Sequence, residues 1–288
     1  MKILLYANFN PPHIGRMFQL AAESRGWETA RVDRRAALSS SRILNRMSRM
    51  LRGGRPPHLG VAERELLRVA REFRPDFILT TGVQALSANG VRQLHRAGFK
   101  VANYLTDDPW NPCNAARYAF DALPEYDKVF STKTSIMHDL ERCGVSNAEY
   151  LPFAYCPEDH RPVAPTAERQ CDVLYVGGAD ADRRTLFAPI VADREIRGCF
   201  CGGYWDAYPE FRPFAGGHLD AAAYRTAVAS AKINVVNGRK ANRDQHAMRS
   251  FEIPAMGGCM ILEDTSEHRR LFGGEGEASR ARQDPEAG

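Results

Sequence analysis

Short, continuous apolar runs alternate with longer amphipathic segments from the first residues of the chain. In a parallel sheet covered by helices on both faces, strands are apolar throughout and helices carry one apolar stripe. The first half contains predicted strands at 3–7, 29–32, 77–80, 101–105, 128–131 and 149–151, and predicted helices at 14–25, 39–51, 61–73, 87–97 and 133–143. This alternation predicts a Rossmann-like α/β domain over residues 1–155.

A polar stretch that contains prolines, residues 156–170, interrupts the pattern and is interpreted as a linker. The pattern then resumes with predicted strands at 171–176, 195–200, 233–236 and 259–262, and predicted helices at 182–191, 221–230, 248–256 and 266–271. We expect a second Rossmann-like domain over residues 171–272, apparently truncated, because such a domain normally has a further strand and helix. Residues 273–288 have almost no apolar side chains and are predicted to be disordered.

The composition is typical of a globular protein, with 44% hydrophobic and 26% charged residues in a chain of 288. No apolar run approaches the ~18 residues of a membrane span. The apolar N-terminus, Met1–Ala7, is too short for a signal peptide, so a cytoplasmic protein is expected. The seven cysteines are scattered without a C-x-x-C pair, so neither a disulfide framework nor a metal site is expected.

The net charge of +4 is unevenly distributed along the chain. Residues 1–75 contain 15 Lys and Arg against 6 Asp and Glu, which favours an anionic partner for this half. Arg42, Arg46 and Arg49 recur at helical spacing and are compatible with a solvated face or with peripheral contact to an anionic membrane. A nucleic-acid partner is not expected, because residues 31–55 lack interleaved aromatic side chains.

Two Rossmann-like domains joined by a linker direct the carboxyl ends of their strands towards a common cleft, where anions bind to loops and helix N-termini. The glycine-rich fingerprint G-x-G-x-x-G is absent from the first turn of each domain, and the P-loop pattern occurs nowhere. A dinucleotide-dependent dehydrogenase and a P-loop enzyme are therefore not expected.

The most informative block is residues 234–272. It contains Asn237-Gly238-Arg239 and Asn242-Arg243, and from residue 249 it reads Arg-Ser-Phe-Glu-Ile-Pro-Ala-Met-Gly-Gly. An apolar strand and Asp-Thr follow, and the block ends in Glu267-His268-Arg-Arg-Leu271-Phe272. With the run Asp-Val-Leu-Tyr-Val-Gly-Gly at 172–178, this block resembles the CgeB-like (spore maturation protein) glycosyltransferases of GT-B fold. The resemblance implies a GT-B-like α/β protein with two domains facing a cleft.

The resemblance also implies a nucleotide-diphospho-sugar donor in the C-terminal domain, used as a co-substrate without a cofactor or metal. In this interpretation the Glu252 carboxylate accepts hydrogen bonds from ribose hydroxyls and Arg249 meets the diphosphate. The other predicted donor-binding residues are Gly177, Gly178, Arg183, Gly257 and Gly258.

Structural interpretations of the same residues remain open at this point. Arg249 and Glu252 are compatible with a surface ion pair on a helix that ends at glycine, and Gly177-Gly178 with an ordinary tight turn. Asp180-Ala-Asp182 matches the metal-binding D-x-D pattern, but its place before a helix favours an N-cap.

Candidate catalytic residues follow strands of the first domain. Asp107 and Asp108 come directly after strand 101–105, and either is a candidate base for the acceptor hydroxyl, with Trp110 available to stack on a sugar. An Asx-turn before Pro109 is the alternative. His13 in the first loop is a further candidate base or a structural histidine, and His246 is a minor candidate near the donor block.

The sequence as a whole favours a metal-independent, hexosyltransferase-like enzyme whose acceptor (glycan, protein, lipid or small molecule) is unknown. The alternative is a non-catalytic sugar- or nucleotide-binding protein of a spore or cell-envelope layer on the same fold.

Overall fold

A computed structural model describes residues 1–11, 13–83, 85–164 and 170–273. The chain forms two compact units. The first comprises Met1–Pro152 together with the three residues Ala241–Arg243, and the second comprises Phe153–Lys240 and the chain from Asp244 onward.

The first unit is a six-stranded parallel sheet with helices between its strands. Its strands, in the spatial order β2-β1-β3-β4-β5-β6, are β1 (Lys2–Ala7), β2 (Glu28–Asp33), β3 (Phe77–Thr81), β4 (Val101–Leu105), β5 (Lys128–Ser131) and β6 (Ala148–Tyr150). Its helices are α1 (Ile14–Ser24), α2 (Arg42–Leu51), α3 (Leu59–Phe73), α4 (Ala88–Arg96), α5 (Arg117–Phe120) and α6 (Met137–Arg142). The order reverses between β1 and β3, and α/β sheets bind ligands at such a switch point.

The second unit is a five-stranded parallel sheet. Its strands, in the spatial order β11-β10-β7-β8-β9, are β7 (Cys171–Val176), β8 (Gly198–Cys201), β9 (Ala215–Gly217), β10 (Ala231–Val236) and β11 (Met260–Leu262). Its helices are α7 (Ala181–Ala192), α8 (Ala221–Ser230), α9 (Arg249–Ala255) and α10 (Ser266–Phe272). Here the switch point lies between β7 and β10.

Short polar side chains start several helices, as their sequence positions predict. The carboxylate of Asp180 accepts a hydrogen bond from the Arg183 N–H at the start of α7, so the capping interpretation of the D-x-D pattern is confirmed. Ser87 caps α4, and its N–H and hydroxyl both donate to the buried Glu63 carboxylate at 2.7 Å. A carboxylate at the start of a helix is favourable because the helix dipole is positive there.

The predicted α/β alternation is confirmed, with β4, β5, β7 and α8 matching the predicted bounds. The helix predicted over 133–143 begins as a 3₁₀ turn, and α6 is only Met137–Arg142. β9 is absent from the prediction because its sequence, Ala-Gly-Gly, carries no apolar pattern. Residues 165–169 of the predicted linker and 274–288 of the predicted disordered tail lie outside the described residues.

All seven cysteines are free thiols. The sulfurs of Cys199 and Cys201 lie 3.6 Å apart along β8. Among the described residues, no helix is both long enough and apolar enough to cross a membrane.

Gly15 allows α1 to approach β1 closely. A Cβ atom at this position would lie 2.5 Å from the Asn8 carbonyl oxygen and 2.6 Å from the Ala7 Cβ, which is closer than van der Waals contact. The first strand, its loop and the following helix therefore depend on glycine here.

We expect Gly15→Ala to lower the free energy of unfolding by about 1–3 kcal/mol, because overpacking forces the helix away from the strand. Gly60→Ala in α3 is the control, since its nearest neighbour is a flexible Arg64 atom at 3.8 Å. In urea unfolding it should be neutral or stabilising by up to ~1 kcal/mol, because alanine favours helix. Equal destabilisation by both variants would contradict the packing argument.

Candidate functional site

In the second unit, loops from β7, β8 and β10 meet at the carboxyl edge of the sheet. Gly177-Gly178 follows β7, and a Cβ on Gly177 would lie 2.6 Å from the Tyr175 hydroxyl oxygen, so only glycine fits there. The Gly177 N–H donates to the Cys201 carbonyl, whereas the Gly178 N–H has no hydrogen-bond partner in the described part of the chain. The turn therefore leaves one backbone donor available to a ligand.

Arg183, in the first turn of α7, is only 3% exposed. Its Nη1 donates to the Gly178 carbonyl oxygen at 2.9 Å, and its guanidinium lies 5.6 Å from the centre of the Tyr175 ring. Burial lowers the pKa of Arg183. Arg183 thus holds the glycine turn through its hydrogen bond to the Gly178 carbonyl and places a positive charge next to the turn.

Charged groups near Tyr175 act on its hydroxyl in both directions. Burial raises the pKa of Tyr175, the guanidinium groups of Arg249, Arg183 and Arg239 oppose that rise, and the Asp180 carboxylate adds to it. Arg239, three residues beyond β10, is half-exposed and lies 3.8 Å from the Asp180 carboxylate that caps α7. Asp180 also lies 3.4 Å from Arg183 Nη1, so of the three guanidinium groups only that of Arg249 has no ion pair with a described residue.

The guanidinium of Arg249, at the start of α9, makes no hydrogen bond or ion pair with any described residue. Burial lowers the pKa of Arg249, but the negative charges of Glu252 and Asp244 help to hold that pKa above its usual value. A partly buried guanidinium without a hydrogen-bonded carboxylate is suited to bind an anion.

Glu252 faces inward and is 5% exposed. Its Oε2 accepts a hydrogen bond from the Tyr224 hydroxyl at 3.1 Å, and its Oε1 lies 3.6 Å from His160 Nε2. Arg249 and Glu252 do not form the surface ion pair that was the structural alternative in the sequence.

Gly257 and Gly258 end α9. Gly257 has a positive φ of 78°, and the Gly258 N–H donates to the Ile253 carbonyl oxygen. A Cβ on Gly258 would lie 2.6 Å from a methyl group of Val228 in the apolar core. These two glycines terminate the helix and pack it, a role that needs no ligand.

The loop after β8 carries an exposed aromatic ring in a strained position. Tyr204 has φ of 72° and is 74% exposed, and its ring approaches Gly178. Positive φ is unusual for a bulky residue, so the backbone of this loop holds Tyr204 in a conformation that side chains of its kind rarely adopt.

The first unit has its own cavity, of about 310 Å³, at its switch point. The lining side chains and backbone come from loops that follow β1, β2, β3 and β4, and from α2: Asn8, His13, Ile14, Arg34, Arg49, Thr81, Gly82, Val83, Thr106, Asp107, Cys113 and Asn114. Its volume lies at the lower end of the range for small-molecule pockets.

Asp107 lines this cavity and is half-buried. Its Oδ2 accepts a hydrogen bond from the Thr106 hydroxyl at 2.9 Å, and its Oδ1 accepts one from the Asn242 amide at 3.2 Å. These neutral donors orient the carboxylate without neutralising it, as a general base requires.

Asp108 is 2% exposed and does not line the cavity. Its two oxygens accept from Arg243 Nε at 2.6 Å and Nη2 at 3.0 Å, and Oδ1 also accepts from the Trp110 N–H. The pair raises the pKa of Arg243. Asp108 is therefore part of an Asx-turn closed by an ion pair, and the Arg243 guanidinium lies over the Trp110 ring.

His13 lines the cavity from the loop before α1. Partial burial, together with the positive charges of Arg34 and Arg35, lowers its pKa. The imidazole is thus neutral at pH 7 and able to accept a proton.

His246 is buried outside this cavity. Its Nε2 accepts from the Phe153 N–H at 3.2 Å, so its Nδ1 carries the proton and donates to Glu267 at 2.5 Å. His268 is likewise buried, and its Nε2 contacts the Ser250 hydroxyl at 2.9 Å. Glu267 and His268 therefore connect α10 to His246 and to Ser250 of α9.

The structure places Gly177, Gly178, Arg183 and Arg249 in the same unit. It gives the carboxylates of Asp107 and Asp108 different surroundings: the first lines the cavity, and the second is paired with Arg243. The sequence interpretation assigned no role to Arg239, Arg34 or Tyr204. Arg239 and Arg34 each follow a strand by at most three residues, a position that could have identified them. Nothing in the sequence around Tyr204 indicates that its side chain is exposed.

Residues 183–287 match the family model described as glycosyl transferase-like. The match covers 105 of the 288 residues, from the first turn of α7 onward. None of the curated proteins matches this sequence.

The fold is similar to that of several solved structures. A trehalose-6-phosphate structure from E. coli with bound UDP-2-fluoro glucose has a TM-score of 0.61 at 10% identity, covering 94% of this chain and 86% of that one. An alpha-glucosyltransferase in complex with UDP has a TM-score of 0.60 at 10% identity, covering 91% and 80%. A putative UDP-N-acetylglucosamine 2-epimerase from Listeria monocytogenes has a TM-score of 0.53 at 12% identity, covering 93% and 81%. The predicted GT-B-like α/β class is thereby confirmed at the level of the fold.

Proposed function

We propose that this protein is a glycosyltransferase that moves a hexose from a nucleotide-diphospho-sugar to an acceptor hydroxyl, as the CgeB-like resemblance implies. The observation that carries the proposal is the geometry at the carboxyl edge of the second sheet: Arg183 and Arg239 lie 3.4 Å and 3.8 Å from Asp180, beside the Gly178 turn, and the Arg249 guanidinium has no hydrogen-bonded partner in the described chain. These arginines all lie in the stretch that matches the glycosyl transferase-like family model. Two of the similar structures contain UDP or a UDP-sugar, which supports this class of donor.

The arginines provide the charge that a departing diphosphate needs. When the bond from the anomeric carbon to the phosphate oxygen breaks, negative charge develops on the nucleoside diphosphate. Arg239 and Arg249 would accept that charge through forked hydrogen bonds, and the Gly178 N–H would add a backbone donor. Because fixed cations supply this stabilisation, we propose a metal-independent reaction.

Glu252 is proposed to hold the donor ribose. A carboxylate has about four lone-pair positions, so its contacts with Tyr224 and His160 leave acceptor capacity for a ribose hydroxyl. Tyr204, exposed beside Gly178, would offer its ring to the nucleotide base or the sugar.

Asp107 is proposed as the base that takes the proton of the acceptor hydroxyl. It lines the cavity of the first unit with an oriented carboxylate, whereas Asp108 is committed to Arg243. His13, neutral at pH 7, is the second candidate in the same cavity.

We further propose that α2 rests on an anionic membrane surface. Ile43, Met50 and Leu51 are 73%, 74% and 79% exposed, and Arg42 and Arg46 on the same helix are exposed as well. Exposed apolar side chains flanked by arginines match the headgroup region of an anionic bilayer.

Arg239→Gln and Arg249→Gln should each weaken UDP-glucose binding by about tenfold to a hundredfold, because a lost charge-assisted hydrogen bond costs about 1.5–3 kcal/mol. Arg197→Gln is the matched control, since Arg197 pairs with Asp172 at the opposite edge of the same sheet. Calorimetry on the full chain measures the affinities. Unchanged affinity in both site variants would reject the donor site, and Glu252→Gln in the same series tests the ribose contact.

Asp107→Asn should lower kcat by about 10²–10⁴-fold, the usual cost of losing a general base, with little change in donor affinity. Asp108→Asn should instead lower the unfolding free energy by about 1–3 kcal/mol, because Arg243 loses a charged partner. Transfer assays and urea unfolding on both variants separate the two roles. Full transfer by Asp107→Asn would move the base assignment to His13.

The α2 surface is tested by co-sedimentation with vesicles. The protein should bind vesicles that contain phosphatidylserine and not pure phosphatidylcholine, and binding should fall as salt rises. Met50→Gln combined with Leu51→Gln should reduce binding, while Arg197→Gln should not. Equal binding to both kinds of vesicle, or none, would contradict the proposal.

A further inference from the structure

The guanidinium of Arg34 lines the cavity of the first unit, and the backbone of a neighbouring loop fixes its position. Arg34 follows β2, and its Nη1 donates to the Thr81 carbonyl oxygen at 3.0 Å. Gly82 has a φ of 86°, and a Cβ there would lie 2.6 Å from Arg34 Nη1. The loop after β3 thus makes room for this side chain and orients it, which is a costly arrangement for a side chain with no ligand.

Neither Arg34 nor its neighbour in the cavity, Arg49, pairs with an acid among the described residues. Arg35, the next residue in sequence, forms an ion pair with Asp33 at 2.6 Å, so an acid is available nearby and is used elsewhere. Asp107 is the one carboxylate among the lining residues described, and its oxygens accept from Thr106 and Asn242. The described lining of the cavity therefore includes two guanidinium groups and one carboxylate.

A titrating group in the same cavity responds to this charge. Partial burial lowers the pKa of His13, the charges of Arg34 and Arg35 lower it further, and the carboxylates of Asp107 and Asp33 oppose them. A positive potential at the mouth of a small cavity attracts anions.

We infer that the acceptor entering this cavity carries a phosphate group, and that the acceptor is a small phosphorylated sugar or sugar derivative. The inference rests on the proposed function and names its acceptor class. Arg34 and Arg49 would bind the phosphate in a forked geometry, which suits guanidinium groups. A volume of about 310 Å³ limits the enclosed part of the acceptor to a small group.

The reaction then balances without a further reactant. A hydroxyl oxygen of the acceptor forms a bond to the anomeric carbon of the donor sugar, and the bond from that carbon to the diphosphate oxygen breaks. The hydroxyl proton passes to the Asp107 carboxylate, and the nucleoside diphosphate leaves with the electron pair. The acceptor phosphate is unchanged and serves only to position the hydroxyl.

Cys113 provides a local reporter for the test. It lines the cavity and is exposed, and Cys143 and Cys259 are exposed cysteines that do not line it. Alkylation of the full chain by iodoacetamide, followed peptide by peptide in a mass spectrometer, gives the rate at Cys113 with two internal controls. The probes are glucose 6-phosphate, inorganic phosphate and glucose at equal ionic strength.

Glucose 6-phosphate should slow alkylation of Cys113 about tenfold at ten times its dissociation constant, and leave Cys143 and Cys259 unchanged. Inorganic phosphate should protect more weakly, and glucose should not protect. Equal protection by glucose, or no protection by either phosphate, would overturn the inference.

Arg49→Gln should weaken the protection by about tenfold or more, since a charge-assisted contact is lost. Arg46→Gln, one turn earlier on α2 and outside the cavity, removes the same charge and should keep the protection. Equal loss in both variants would mean that only general charge matters, and would overturn the inference. Arg34→Gln is the second site variant, checked by its urea unfolding curve.

UDP-glucose binding separates this inference from the proposed function. Arg49→Gln should bind UDP-glucose as the unaltered protein does, because Arg49 belongs to the first unit. If Arg49→Gln loses the protection of Cys113 by glucose 6-phosphate and still binds UDP-glucose, the phosphorylated acceptor is supported. If glucose 6-phosphate protects Cys113 in the unaltered protein but UDP-glucose does not bind, the phosphate site is supported and the proposed donor is rejected.

Discussion

Each unit depends on one constraint, which is that all its paired strands run parallel. Parallel strands need a crossover for every connection, and the crossovers return the chain to the same edge of the sheet. Every loop that follows a strand therefore meets the others at the carboxyl edge. This is why Gly178 and Arg239, about sixty residues apart in sequence, share one site, and why Arg34 and Asp107 line one cavity.

The arginines divide according to their partners. Arg243 is held by two carboxylates, at 2.6 Å from Asp108 and 2.6 Å from Asp139, and so serves the fold. Arg34 has only a backbone carbonyl, and Arg249 has no hydrogen-bonded partner in the described chain. A guanidinium with spare donors costs free energy when it is partly buried, and an anionic ligand offsets that cost. A guanidinium without a paired acid in the described chain, Arg249 in the second unit and Arg34 in the first, is thus the physical property that the two proposed sites have in common.

The two neighbouring aspartates illustrate how packing separates residues that look equivalent. Asp107 and Asp108 follow the same strand, and the backbone turns between them so that one carboxylate lines the cavity and the other is enclosed. The decisive partner is Arg243, which lies 135 positions away from Asp108. A contact over that sequence distance has no local signal.

The sequence by itself determined the α/β class, the bounds of most strands and helices, and the helix cap at Asp180, because these depend on apolar periodicity and on hydrogen bonds between near neighbours. It also identified the segment of Arg183 and Arg249. The tertiary structure decided that Arg239 joins them and that Arg34 is oriented by the Gly82 turn. It also decided that Gly258 packs against the apolar core and that Asp108 is enclosed. Those outcomes depend on which distant loops meet at a sheet edge, and only the folded chain brings such loops together.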